Sequence, residues 1–131
     1  MKSTKAFLSV ALATIAADGV LHEQEAISLR EILQTQSAFK NINISSIIKE
    51  ILSQIKLTGI DQVGKDAIAS LSIKQQETAI AIATHLAHSD KVFCEKEDAF
   101  LNKLAISSSI PNDKVNAIIE SIILLHRDVL T

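Results

Sequence analysis

Two stretches of this chain spell the same corner 72 positions apart: Ala16–Glu25 reads AADGVLHEQE, and His88–Glu97 reads HSDKVFCEKE. Aligning Asp18 with Asp90 puts Val20 on Val92, Leu21 on Phe93, Glu23 on Glu95 and Glu25 on Glu97. The apolar runs before the two corners align as well, with Leu8 opposite Ile80 and Ala11 opposite Ala83. A chain built this way has to place two equivalent helix–corner–helix units in one core, and that restricts the fold more than any single motif does.

The repeated units are helical. Ile44, Ile47, Ile48, Ile51 and Ile55 recur at steps of three and four, as do Val115, Ile118, Ile119, Ile122 and Leu125, which is the spacing of one helix face. No segment alternates as a strand between hairpin turns. One proline and three glycines leave few breaks. Seven helices are expected. The first runs from Ser3 to about Ala17 and ends at Asp18-Gly19, where Gly19 suits a left-handed cap. The second spans about Glu23 to Thr35, and the third begins in NINISS and ends near Lys56. A short fourth lies between Ile60 and Leu71. Ser72-Ile73-Lys74-Gln75 reads as a capping box opening the fifth, which continues to about His88. A sixth spans about Glu95 to Ile106, and Pro111 suits the first turn of a seventh reaching about Arg127.

The Ala-rich faces of the first and fifth helices (Ala6, Ala13, Ala16 and Ala17; Ala79, Ala81, Ala83 and Ala87) let helix axes approach closely. These two helices are therefore expected to pack together centrally. The last helix, with Ile118, Ile119, Ile122, Ile123, Leu124 and Leu125, has apolar residues on more than one face. The expectation is a central core helix, with a partner or dimer surface as the alternative.

A chain of 131 residues fits one domain, here residues 1–131. Apolar residues make up 47% and charged residues 21%, so the chain is globular rather than disordered. Only 3% is aromatic, with no Trp or Tyr, so the core has to be aliphatic. A net charge of −2 gives no basic footprint for a phosphate backbone, and no nucleic-acid partner is expected. Cys94 is the single cysteine, which rules out an intramolecular disulfide and suits a reducing, cytoplasmic setting. The start, MKSTKAFLSVALATIAADG, has the outline of a signal peptide. Ser9 and Thr14 interrupt its apolar stretch, and its match to the run before Asp90 makes a core helix the better reading. No apolar run is long enough to cross a bilayer.

A helix ending in Ala17-Asp18-Gly19, followed by Leu21 and by Glu25 seven residues after the Asp, resembles the tellurite-resistance TerB family, which also occurs as a module in membrane-anchored J-domain co-chaperones. The second copy contributes Asp90, Phe93 and Glu97. The resemblance covers roughly Ala6 to Arg127 and implies an all-α bundle of seven or eight helices with an internal pseudo-duplication. It further implies a non-catalytic module associated with tellurite, metal or envelope stress in bacteria, with paired acidic residues as ligands of a divalent metal. Carried over, those residues are Asp18 and Glu25 in the first copy and Asp90 and Glu97 in the second. The sequence departs from the pattern at Lys91, where the second copy would prefer Gly. A lysine at positive φ there costs about 1 kcal/mol. His22 and Cys94 stand at helix-start positions and are both poor caps.

Physical chemistry allows two readings of the acidic corners. Four carboxylates within several ångströms repel one another, and a divalent ion removes that repulsion. Ca²⁺, Mg²⁺ and Mn²⁺ favour such oxygen ligands, Zn²⁺ less so, and the Asp-x-Asp-x-Asp-Gly spacing of an EF-hand is missing. Alternatively, Asp after a helix bonds its own turn, Glu at the third helical position closes a capping box, and first-turn Glu23, Glu25, Glu95 and Glu97 favour the helix dipole. A zinc set of His85, His88, Cys94 and His22 is weaker, because His85 and His88 fall opposite Ala13 and Ala16 in the duplication. Cys94 lies among Glu95, Glu97 and Asp98, which oppose a reactive thiolate, and no phosphate loop, dinucleotide fingerprint or serine elbow is present. The expected function is a stress-associated interaction or metal-binding module with a protein partner, for which a membrane-associated protein and a second copy are both options. An adaptor acting through an acidic patch or the last helix is the alternative, and a small metal-dependent hydrolase a more distant one.

Overall fold

The computed structural model describes residues 2–17, 29, 31–35, 44–88, 95–127 and 130. They form α1 (Ser3–Ala16), α2 (described at 29 and 31–35), α3 (Ile44–Thr58), α4 (Ile60–Ala69), α5 (Ile73–His88), α6 (Glu95–Ser107) and α7 (Asn112–His126), with no strand among them. The all-α expectation and the seven helices hold.

Local chemistry sets the boundaries. Gly59 has φ of 89°, a conformation that costs an L side chain, and its N–H donates to the Ile55 carbonyl at 2.9 Å. Its own carbonyl accepts from the Val63 N–H at 3.2 Å, so a single residue ends α3 and starts α4. The capping box opening α5 forms as expected. The Gln75 N–H donates to Ser72 Oγ at 3.3 Å, and the Ser72 N–H donates to Gln75 Oε1 at 3.1 Å. Pro111 stands one residue before α7 rather than inside its first turn, and its carbonyl accepts from Lys114 and Val115.

The first and fifth helices do meet at the centre. Ala6, Val10, Ala13 and Ala17 of the first unit share one buried core with Ala79, Ile80, Ala83 and Ala87 of the second, joined by α4, Phe100, Leu101 and Leu104 of α6, and Val115 of α7. Their starts are tied by a hydrogen bond from Gln75 Nε2 to Ser3 Oγ at 3.2 Å, across the same 72 positions that relate the two copies. Leu8 and Ile80 are both 1% exposed, and Ala11 and Ala83 are both buried, so the aligned pairs serve as core in both copies. On its other side α1 carries Leu8 into a second cluster with Ile51, flanked by Ile32 and Leu33 of α2 and Ile44, Ile47 and Ile55 of α3. The Ser9 and Thr14 side chains are buried within α1, and Thr14 Oγ1 donates to the Val10 carbonyl at 2.7 Å.

The central position expected for the last helix belongs instead to α1. Val115 is the one fully buried residue among those of α7; Ile118 and Ile119 are partly buried, while Leu124 and Leu125 are 55% and 80% exposed. The reason is neighbours. The small side chains of α1 let α3, α4, α5 and α6 all close around it, whereas α7 rests chiefly on α5. The number of apolar residues in α7 overstated its burial.

Candidate functional site

Of the four acidic residues expected to act together, Asp18, Glu25 and Asp90 lie outside the described residues, as do Lys91, His22 and Cys94. Glu97 is described. It is the third residue of α6 and has no exposed surface, between the exposed Lys96 and Asp98. Burying a carboxylate costs several kcal/mol unless hydrogen bonds or a cation compensate it. Glu97 thus stands at the third helical position, the place of the far half of a capping box, with its side chain buried.

The end of α1 reaches the same place. Ala17, the residue before Asp18, lines a hollow of about 210 Å³ with Ile60 and Asp61 of α4 and Lys96, Ala99, Phe100 and Lys103 of α6. The first corner therefore departs from beside the first turn of the helix that carries Glu97. Lys103 Nζ lies 2.7 Å from Asp61 Oδ2 and ties α6 to α4 along the rim. The hollow is open and its charged residues lie at the surface, unlike the closed cleft that metal-assisted hydrolysis requires.

A family model for tellurite resistance protein TerB matches residues 4–120. The chain belongs to the TerB family. No curated protein and no solved structure matches it. Family membership makes it a tellurite-resistance-like domain, and no helix among its described residues is long and apolar enough to cross a membrane.

A second constellation involves a residue that the sequence did not single out. His85 Nδ1 lies 2.9 Å from Nε2 of His126, at the end of α7, with ring centroids 4.9 Å apart. His88 turns its Nδ1 to the Thr84 carbonyl at 2.9 Å, so that N–H donates within its own helix, and its ring centroid is 6.4 Å from that of His126. Burial pushes the His85 pKa down, and the nearby Glu31 carboxylate opposes this more weakly. His85 thus meets His126, a residue outside the weaker zinc set of His85, His88, Cys94 and His22. Among the described residues, no group of three or more His, Cys, Asp or Glu side chains is arranged to hold a metal. The available signal was positional: His85 and His126 both stand in the last turn of their helices.

Proposed function

We propose that this TerB domain is a non-catalytic cytoplasmic binding module whose two repeated corners together take a hard divalent cation, with Asp18, Glu25, Asp90 and Glu97 as oxygen donors. The observation that carries the reading is the full burial of Glu97 in the first turn of α6, beside the end of α1. Carboxylate oxygens suit Ca²⁺, Mg²⁺ or Mn²⁺ better than Zn²⁺. The ion would offset the mutual repulsion of the four carboxylates and fix the two corners relative to each other, giving a protein partner a surface that depends on the metal.

The test is calorimetric titration of each of these four ions into metal-stripped protein, repeated on the double variant Asp18→Asn with Asp90→Asn. Saturable binding in the parent that is lost in the variant supports the reading. At a hundredfold excess over Kd, the bound ion also stabilises the domain by about 2.7 kcal/mol. Absence of binding, with a lowered melting temperature in the double variant, means that the corners are caps only.

A second reading, an adaptor working through its last helix, is favoured by the exposed end of α7. Ile123 and Leu124 line a hollow of about 290 Å³ with Glu120 and Arg127. Metal-independent capture of a partner, lost in Leu124→Glu, would favour it.

A further inference from the structure

We propose that His85 and His126 form a proton-sensitive latch, which holds the end of α7 on α5 while at least one imidazole is neutral and releases it when both are protonated. The contact itself sets this condition. At 2.9 Å between ring nitrogens, one must present an N–H and the other a lone pair. Two imidazolium rings would face each other with an N–H on both sides and like charge on both rings, so the bond becomes a repulsion.

The remainder of α7 determines what the latch controls. At its start, Val115 is buried and Lys114 Nζ lies 2.6 Å from the Glu77 carboxylate of α5, so that end has apolar and ionic anchors. Past Ile122, which is half-buried, Ile123, Leu124 and Leu125 are exposed. The histidine pair is a polar tie between the last turn of α7 and α5.

Several groups bear on the pair. Glu31 of α2 favours a charged His85, and so do the C-terminal ends of α5 and α7 on which the two rings stand. Partial burial favours the neutral ring and outweighs the carboxylate at His85. His88 faces His126 from the same helix as His85, and the exposed Arg127 follows His126 in the chain; both add positive charge or the capacity for it. A neutral pair at pH 7.5 thus meets growing opposition as the pH falls through the histidine range.

Amide hydrogen exchange on the full chain tests this at pH 7.5 and pH 5.0, after correction for intrinsic rates. Protection across residues 119–126 is expected to fall at least tenfold at the lower pH, while residues 6–15 of α1 keep theirs. In His126→Gln, whose amide can bond His85 without titrating, the local loss should vanish. Equal protection of the α7 end at both pH values overturns the latch. So does a parallel loss in α1, which would indicate global acid unfolding, or an unchanged pH response in the variant. If His126→Gln does not fold, an imidazole NMR titration of the parent decides: two separated steps for His85 and His126 support coupling, and a single ordinary step for both overturns it.

Discussion

Replacing Gln76 tests whether the junction between the two halves is held by polar bonds or by packing alone. Gln76 is 4% exposed. Its Nε2 donates to the Ile68 carbonyl at 2.9 Å and to the Leu71 carbonyl at 3.2 Å, and its Oε1 accepts from the Ser109 N–H at 2.9 Å. One side chain thereby ties together the end of α4, the turn into α5 and the link from α6 to α7. Gln76→Leu keeps the volume and removes all three bonds. At about 1 kcal/mol each the gross loss is about 3 kcal/mol. The Ile68 carbonyl also accepts from the Leu71 N–H at 3.1 Å, so it is not orphaned, and the added apolar burial returns part of the loss. The net expectation is a loss of about 2 kcal/mol, a large fraction of the 5–15 kcal/mol typical of a domain.

Urea denaturation followed by far-UV circular dichroism measures this. The midpoint should fall while the slope m stays constant. A loss below about 0.5 kcal/mol would refute the reasoning, because surface substitutions lie in that range. Gln76→Glu supplies an independent signature. One carboxylate oxygen could still accept from Ser109, but the other would face two carbonyl oxygens, and the folded state would favour the protonated acid. Its folded pKa then lies above the unfolded value of about 4.3, so the folded state binds more protons in that window. Relative to the parent at each pH, the variant should recover stability as pH falls from 7 towards 4.

Other expectations concern single contacts. In Gly64→Ala, the new Cβ would lie 3.0 Å from Leu104 Cδ2 and 3.0 Å from Phe100 Cζ, both on buried residues. Overpacking of about 1–3 kcal/mol should outweigh the helix-propensity gain of about 1 kcal/mol, giving a net destabilisation in thermal melts. Ser72→Ala removes half of the capping box and should cost about 1 kcal/mol by urea denaturation, with the fold unchanged.

What the sequence made legible was local or periodic. The capping box at Ser72 and Gln75, the break between the third and fourth helices and the apolar face of α3 each depend on neighbours within a few positions, and each is present in the structure. The pairing of α1 with α5 was also legible, because side-chain size limits how closely two axes approach. The hidden features depend on distant neighbours. His126 is 41 positions from its partner His85, and Ser109 is 33 from Gln76; neither residue has a pattern of its own. The burial of α7 was misjudged for the same reason, since apolar content specifies a demand for partners and not how many helices surround it. For the acidic corners, the structure adds the burial of Glu97 and the position of the end of α1, while Asp18, Glu25 and Asp90 lie outside the described residues and their proposed role rests on the family resemblance.

Where the two copies agree and where they differ separates two kinds of role. Leu8 with Ile80 and Ala11 with Ala83 are buried in both copies, so these positions serve the shared core from which both corners emerge. A metal held between the corners would belong to this shared part, because it needs equivalent residues from each unit. Ala13 and His85 occupy the same place in the repeat, yet Ala13 is fully buried and His85 is only partly so. Likewise Ala6 is buried and its counterpart Thr78 is exposed. At His85 the difference goes with α7, which packs on α5 and brings His126 to its ring. The histidine pair exists only where the duplication has lapsed. Loss of the latch should therefore leave the corners intact, and loss of the corner carboxylates should leave the pH response of α7 intact. A variant at either place that alters both properties would show that the two sites communicate through α5.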